Sequence, residues 1–590
     1  MSRTLDEANR EISMVRGMPY GLARTQAAER QVRLVEAEGP DDARAYALST
    51  LVEAYNWGGE PEKSFVSFDR LLRWWDEHPE TFDAQDRHGL FWSYKWMISG
   101  LADFPTVPAQ QIDRTLADME RRYALAGNGM DAVAYERFAW ARQRGDAGTE
   151  QAYQAWVATP RDDFSQCEAC DPGDRASYLI ATGRVEEGIR LIEQTLTENP
   201  SCASEPADML SHLADAYLDT GRATDAARTH RRAVAALAEA DSDMVGARGR
   251  RIRLLARGGQ VTRALRAIEQ EQHLLLGGDT PYSRLAFARL VGAATHVLRA
   301  EHGDRAVRLT TVPATTVAEL DDWLHAQALE LAAAFDDRNG TPAETESVAK
   351  AWQAVPAGVA LDLDVLPRAA VPGSPTPTVA DTSTVGSATA AAPSGDPANG
   401  GAEDGTTVLA EAERLVGAGE IEDAAGLYLR AAVLAEAAGL LPDAGFAYAE
   451  AAHCAQVLGD DDGAAAGYAA GVARLRAGGV APATVAPVVV AWARAASVAG
   501  GAEQVLAEAE ALVTALAAEV TNEDVAADLA RRAESARRRA AADLEDASAR
   551  LLAGRGDAES AAAGARLARS AAETYGGLGS VPDAAHAFWL

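Results

Sequence analysis

The chain has 590 residues, of which 48% are hydrophobic and only 6% are aromatic, and its formal net charge is −32. So acidic a surface repels nucleic acid phosphates and anionic lipid headgroups, which argues against both as partners. Four cysteines in a chain of this length do not form a disulfide framework.

The N-terminal segment, residues 1–16, is mostly polar and charged, without the apolar core of a signal peptide. The most apolar stretch, residues 481–500, is interrupted by Pro482, Pro487 and Arg494 and does not read as a membrane span. We therefore expect a cytoplasmic protein with no membrane partner. Alanine is abundant and bounded runs of valine and isoleucine are nearly absent, which predicts an all-α fold.

Three segments in the first half of the chain repeat at a fixed spacing. Gly183, Gly221 and Gly259 lie 38 residues apart, and a small residue follows each of them by five positions. Small residues let two helices approach, large residues fill the space between them, and the glycine reverses the chain. The residues that carry this pattern in the middle unit are Leu210, Leu213, Ala214, Tyr217, Gly221, Ala226, His230 and Ala233.

This pattern resembles the tetratricopeptide repeat, a helix pair of roughly 34 residues, with a period lengthened by four residues and His230 in place of an aromatic residue. Similar units surround Tyr55 near the N-terminus and Tyr428 in the second half. The resemblance implies tandem antiparallel helix pairs stacked into a superhelical α-solenoid. It also implies that the protein functions by binding other proteins.

A change of composition divides the chain. Residues 367–406 are rich in Pro, Ala, Gly, Ser and Thr and lack helical periodicity, which predicts a disordered linker. It separates an N-terminal array, 1–366, from an alanine-rich C-terminal array, 407–590.

The end of the sequence repeats the start of an earlier unit. Pro582 and Asp583 have the spacing of Pro442 and Asp443, which open the first helix of a pair. We therefore expect the chain to end inside a repeat, either truncated or with its last helix packed on a partner. Otherwise the apolar residues that end the sequence would form an exposed patch.

The strongest local chemical signal is a group of cysteines. Cys167 and Cys170 are separated by two residues, and Cys202 precedes the next repeat, so the three sulfurs are predicted to converge at one edge of the array. This spacing suits a structural zinc ion, with His212, His230 or an acidic side chain as the fourth ligand. Free thiols and a redox pair are the alternatives, and the acidic neighbours oppose the low thiol pKa that a redox pair needs.

The resemblance implies that the first helix of each pair lines a concave surface. Candidate partner-binding residues on these helices are Tyr46, Ser49, Thr50 and Glu53 in one unit, and Ser211, His212, Asp215, Arg250 and Arg253 in the middle of the array. A mixture of acidic and arginine side chains suits a charged peptide or helix. These positions hold no lysine or asparagine, which argues against the carboxylate clamp known from this family.

Sequence motifs of catalysis are missing from the chain. There is no G-K-[ST] phosphate loop, no G-x-S-x-G elbow, no kinase motif and no H-E-x-x-H zinc motif. We therefore predict a non-catalytic adaptor or scaffold for other proteins, without a cofactor other than the zinc ion. Three alternatives remain open: a regulatory sensor in which two coupled arrays respond to a ligand or peptide, a structural subunit of a larger complex, and an enzyme that uses the cysteines.

Overall fold

The computed structural model describes residues 3–240, 243–366, 405–518 and 527–590. Within these ranges the protein forms 27 α-helices and no β-strand, apart from an isolated bridge between Ala306 and Thr316. The all-α prediction is therefore confirmed. The chain divides into two compact units, Met1–Leu361 and Asp362–Leu590, which we call the first and second units.

The first unit contains eighteen of the α-helices and two short 3-10 helices, Asp41–Ala43 and Pro79–Thr81. The α-helices are α1 (Leu5–Arg16), α2 (Leu22–Glu38), α3 (Arg44–Trp57), α4 (Pro61–Glu77), α5 (Ala84–Ala102), α6 (Ala109–Ala126), α7 (Met130–Arg144), α8 (Thr149–Ala158), α9 (Asp171–Ala181), α10 (Val185–Leu196), α11 (Ala207–Asp219), α12 (Ala223–Ala238), α13 (Val245–Arg257), α14 (Val261–Gln270), α15 (Leu274–Gly277), α16 (Pro281–His302), α17 (Val317–Asn339) and α18 (Ala343–Ala351).

The second unit contains the other nine α-helices found in the described ranges. They are α19 (Gly405–Gly417), α20 (Ile421–Ala437), α21 (Leu441–Val457), α22 (Asp461–Ala477), α23 (Pro482–Ala499), α24 (Ala502–Ala518), α25 (Ala527–Ala553), α26 (Ala558–Gly577) and α27 (Val581–Trp589).

The boundary between the units differs from the predicted one. The predicted linker, 367–406, lies outside the described residues except for its last two, which open α19. Residues 362–366 group with the second unit rather than with the N-terminal array. The reason is a hydrogen bond: the backbone N–H of Val365 donates to the Asp460 carboxylate at 2.8 Å.

The glycines that set the sequence period lie in tight turns between helices. Gly183, Gly221 and Gly259 have φ values of +87°, +76° and +76°, a conformation in which a Cβ atom would be strained. These turns join α9 to α10, α11 to α12 and α13 to α14. The Tyr217 hydroxyl of α11 donates a hydrogen bond to Glu193 of α10, which ties one helix pair to the pair before it.

In the second unit, single helices with their turns recur at a regular spacing. Gly419, Gly439, Gly459 and Gly479 recur every 20 residues, with φ between +70° and +79°. Each of these glycines lies in the turn after one of the helices α19 to α22. Each step is one helix with its turn, so two steps, or 40 residues, make one helix pair.

One helix in the described ranges, α23, is long and apolar enough to cross a membrane by length and composition alone. Its most apolar window is 39% buried within the structure. Val489 and Trp492 pack in the hydrophobic core of the second unit. The helix therefore contributes side chains to a helical core.

The last helix, α27, packs on α26 through the buried residues Ala584 and Ala587. Asp583, near its start, pairs with Arg539 of α25 at 2.9 Å. Phe588 is 63% exposed and Trp589 87% exposed. The helix therefore contacts its own unit on one side, and its last aromatic residues remain exposed.

The first unit closes on itself. Arg338, near the end of α17, donates hydrogen bonds to the carbonyl oxygens of Ala102 and Phe104 at 2.7 and 3.1 Å. The Thr280 hydroxyl, which caps α16, donates to the Asp103 carboxylate at 3.0 Å. Because α18 contacts α7, and α7 contacts α9 through the rings of Phe138 and Tyr178, helices α7, α9, α11, α13, α16 and α18 form a closed circuit of contacts. The helices stack as expected for an α-solenoid, and the contact between α18 and α7 is a feature that the sequence did not predict.

Arg338→Ala is expected to destabilise this closure by about 2 kcal/mol, because it leaves the Ala102 and Phe104 carbonyl oxygens without their charged donor. Tryptophan fluorescence during urea unfolding reports mainly on the first unit, which contains nine of the eleven tryptophans. Backbone amide hydrogen exchange in the loop after α5 should be faster in the variant than in the wild type. Arg305→Ala, which removes one hydrogen bond from an exposed side chain to Thr262, is the control, and an equal effect there would contradict the role of Arg338.

Candidate functional site

The helices of the closed circuit direct polar side chains toward a common space. Arg142 of α7 acts electrostatically on Asp174 of α9, on His212 of α11 and on Tyr282 of α16, so these four helices face one another. We use the name inner surface for Tyr135, Arg142, Asp174, Asp208, His212, Arg250 and Tyr282.

The inner surface changes the ionisation of its own side chains. Burial, reinforced by the positive charge of Arg250, lowers the pKa of His212 to about 3, so its imidazole is neutral at neutral pH. Burial, reinforced by the negative charge of Asp208, raises the pKa of Asp174 to about 7. The inner surface therefore carries a neutral imidazole on α11 and a partly protonated carboxyl group on α9, both near Asp208 and Arg142.

Most of the predicted binding residues of α11 and α13 are paired with each other. Arg250 forms an ion pair with Asp208 and donates to the Ser211 hydroxyl at 2.8 Å, and Arg253 forms an ion pair with Asp215. Ser211 and Asp215 are buried. The prediction that these two side chains are accessible to a partner is wrong, because α13 packs on the face of α11 that carries them.

The predicted residues of α3 are only partly accessible. Thr50 is 2% exposed and belongs to the packed interior, which corrects its assignment to an open groove. The Glu53 carboxylate accepts from Arg24 at 2.6 Å, which connects α3 to α2. Tyr46 and Ser49 each keep part of their surface exposed. The four residues therefore stabilise contacts within the array and offer little free surface.

Arg142 is a functional candidate that the sequence analysis missed. Its side chain is exposed, and its guanidinium donates to the Ser177 hydroxyl at 3.3 Å and lies 5.7 Å from the ring centre of Tyr178. A single arginine in a helix carries no motif, and its position became visible only from the helices that surround it.

The three cysteines predicted to converge do lie together. The sulfur atoms of Cys167, Cys170 and Cys202 are all within 4.8 Å of one another, and those of Cys170 and Cys202 are 3.5 Å apart. The Ser204 hydroxyl lies 3.5 Å from each of these two sulfurs. All three thiols are partly exposed.

Two turns place these sulfurs. The Cys167 carbonyl accepts from the backbone N–H groups of Cys170 and Asp171, which bends the chain into the start of α9. The backbone N–H of Cys202 donates to the carbonyl of Glu205 at 3.2 Å, just before α11. Because α9 and α11 begin neighbouring helix pairs, the turns that precede them meet at one edge.

Neither histidine proposed as a fourth ligand joins the group. Among the described residues, the mutually close ligand atoms are the three sulfurs alone. His230 of α12 is 6% exposed and faces α11 and α13, and burial together with Arg251 lowers its pKa to about 3. His212 lies on the inner surface, with its Nε2 3.6 Å from the Asp208 carboxylate.

No protein-family model matches the chain, and no curated protein matches it in sequence. The resemblance to tetratricopeptide repeats therefore rests on the residues of the chain itself.

Proposed function

We propose that the protein is a non-catalytic adaptor whose first unit binds an acidic segment of a partner protein on the inner surface. In this proposal the helix pairs are repeats of the tetratricopeptide kind, stacked as a solenoid and closed by α16 to α18. The net charge of −32 disfavours polyanions such as nucleic acid and anionic membrane, in keeping with a cytoplasmic protein, so an acidic segment would be recognised through local positive charge on the inner surface.

The observation that carries this proposal is the exposed guanidinium of Arg142. The neighbouring arginines have carboxylate partners: Arg250 pairs with Asp208, and Arg289 pairs with Glu344. Arg142 instead makes a long hydrogen bond to a neutral hydroxyl and keeps its side chain exposed. The planar guanidinium of Arg142 can donate two parallel hydrogen bonds to a carboxylate of a partner.

Groups around Arg142 favour the same ligand chemistry. The hydroxyls of Tyr135 and Tyr282 lie close enough to its charge that Arg142 opposes the rise of their pKa values that burial causes. Neutral phenols donate hydrogen bonds to carboxylates, as Tyr135 does to Asp174 and Tyr282 to Glu344 within the unit. The inner surface also includes Asp174, whose protonated form donates and whose ionised form repels, so binding is expected to strengthen as the pH falls below about 7.

Arg142→Glu is expected to weaken binding of acidic peptides by at least about tenfold, because it replaces attraction by repulsion. The test is to select peptides from a displayed random library on the full chain, and then to measure their affinities by calorimetry together with versions in which Gln and Asn replace Glu and Asp. Arg142→Lys keeps the charge but loses the planar pair of donors, so it should retain only part of the affinity.

The control is Arg73→Glu, which makes the same charge change at a side chain 64% exposed on α4. Equal losses for Arg142→Glu and Arg73→Glu would show that binding follows net charge. Selection of neutral or basic peptides that bind equally well to Arg142→Glu would overturn the proposal.

A further inference from the structure

The adaptor proposal makes no use of the three thiols at the edge of the first unit. Zinc–sulfur bonds of about 2.3 Å in a tetrahedral arrangement place sulfurs about 3.8 Å apart. The Cys170 and Cys202 sulfurs are 3.5 Å apart, and Cys167 lies within 4.8 Å of both. Shifts of a few tenths of an ångström up to about one ångström would bring the three sulfurs to bonding distance of one ion.

The surroundings of the sulfurs also favour a cation. Cys170 directly precedes α9, whose first residue, Asp171, is held by Arg161 and by Arg175 at 2.6 Å. On the other side, the Glu205 carboxylate is 5% exposed and accepts from the backbone N–H of Met209. Three thiolates within 4.8 Å of one another would repel one another, and a bound cation offsets that repulsion.

We propose that Cys167, Cys170 and Cys202 bind one soft d10 cation. Either of two ions satisfies this chemistry: Zn²⁺, with the Ser204 hydroxyl or a water molecule as fourth ligand, or Cu⁺ held by the three sulfurs alone. The ion joins the turn before α9 to the turn before α11. It therefore fixes the spacing of two helices that carry Asp174 and His212 of the inner surface.

The competing chemistry is oxidation. The 3.5 Å between the Cys170 and Cys202 sulfurs is short enough that a small movement would allow a disulfide bond of about 2.05 Å. That reaction removes two electrons and two protons and requires an external oxidant. The resulting bond would leave only Cys167 as a thiolate, so a disulfide and a three-sulfur metal site exclude each other.

The test is the metal content of the full chain purified under reducing conditions without added chelator. We expect about one zinc or copper ion per chain by elemental analysis, with the identity of the metal distinguishing the two ions. Cys170→Ser and Cys202→Ser should each lower the metal affinity at least about tenfold in competition with a chromogenic chelator. Cobalt substitution should give a thiolate-to-metal charge-transfer absorption in the wild type and not in these variants.

Cys454→Ser is the matched control, because Cys454 is 3% exposed in the core of the second unit and should leave the metal content unchanged. The circular dichroism of each variant checks that it is folded. Absence of metal from the reduced protein after incubation with either ion would overturn the proposal. So would a Cys170–Cys202 disulfide found by mass spectrometry in freshly lysed cells, or full metal content in a variant lacking all three thiols. None of these outcomes depends on peptide binding.

Discussion

Replacing Trp156 with alanine is expected to lower the free energy of unfolding of the first unit by about 4 kcal/mol. Trp156 is fully buried in α8. Its ring stacks on Phe138 at 5.3 Å and meets the edge of Tyr135 at 4.9 Å, both on α7, and Arg175 of α9 lies 5.0 Å from it. The indole thus joins α7 to α9 at the edge of the inner surface, and the cavity left by alanine would loosen both contacts.

Two further variants separate packing from polarity at this site. The indole N–H of Trp156 is buried without a hydrogen-bond partner in the described structure, so Trp156→Phe loses volume but no hydrogen bond. We expect it to cost less than half as much as alanine. Trp57→Ala, at a side chain 49% exposed, should cost about 1 kcal/mol or less.

Urea unfolding followed by far-ultraviolet circular dichroism measures all three variants without relying on the altered fluorophore. A loss below about 1 kcal/mol for Trp156→Ala would show that α7 and α9 are held together elsewhere.

Local sequence signals predicted the helices of the middle repeats. Gly183, Gly221 and Gly259 recur in the sequence because a left-handed turn is needed at the same place in each pair. Closure of the unit left no such signal. The bond from Arg338 to Ala102 joins residues 236 positions apart, and neither segment has a repeat partner that would reveal it.

The candidate sites were predictable to different degrees. The cysteines were found because the order of the helices alone brings Cys167, Cys170 and Cys202 to one edge. The exposure of the predicted partner-binding residues could not be predicted, because a helix period shows which side chains share a face but not how closely the next helix covers it. Asp215 of α11 and Arg253 of α13, for example, lie on the sides of these helices that pack together, where they form an ion pair. Arg142 differs from them only in its neighbours.

Two buried titratable side chains, one acidic and one basic, make the stability of the first unit depend on pH. Glu136 of α7 is 1% exposed and accepts from the Ser99 hydroxyl at 2.7 Å, and burial raises its pKa to about 8. Lys95 of α5, also 1% exposed, donates to the Ser165 carbonyl at 2.8 Å, and burial lowers its pKa to about 8.

The two groups act in different pH ranges. A carboxyl group with a raised pKa retains its proton in the folded state, so stability is lost as the pH rises from the unfolded pKa, about 4.5, through the folded value of about 8. For Lys95 the folded state binds fewer protons than the unfolded state between about pH 8 and 10.5, so stability increases across that window. The pair alone therefore gives minimum stability near pH 8.

Glu136→Gln should remove the first of these slopes. Glutamine resembles the protonated carboxyl group, so the variant is expected to match the wild type within about 0.5 kcal/mol near pH 5. Near pH 8 it should be more stable by about 2 kcal/mol, less than the full pKa shift implies because the site relaxes and admits water. Urea unfolding curves at pH values between these limits, followed by tryptophan fluorescence, measure the difference.

Comparing variant with wild type isolates this group from other carboxyls that burial affects in the same direction, such as Glu205, because their contributions are common to both proteins. Glu77→Gln, at an exposed position on α4, should give a difference that does not change with pH. If Glu136→Gln were instead less stable at every pH, the ionised carboxylate would be an essential partner of Lys95. An ion pair would then hold the two helices together. Protonation of Glu136 would not be what offsets the desolvation of its carboxyl group.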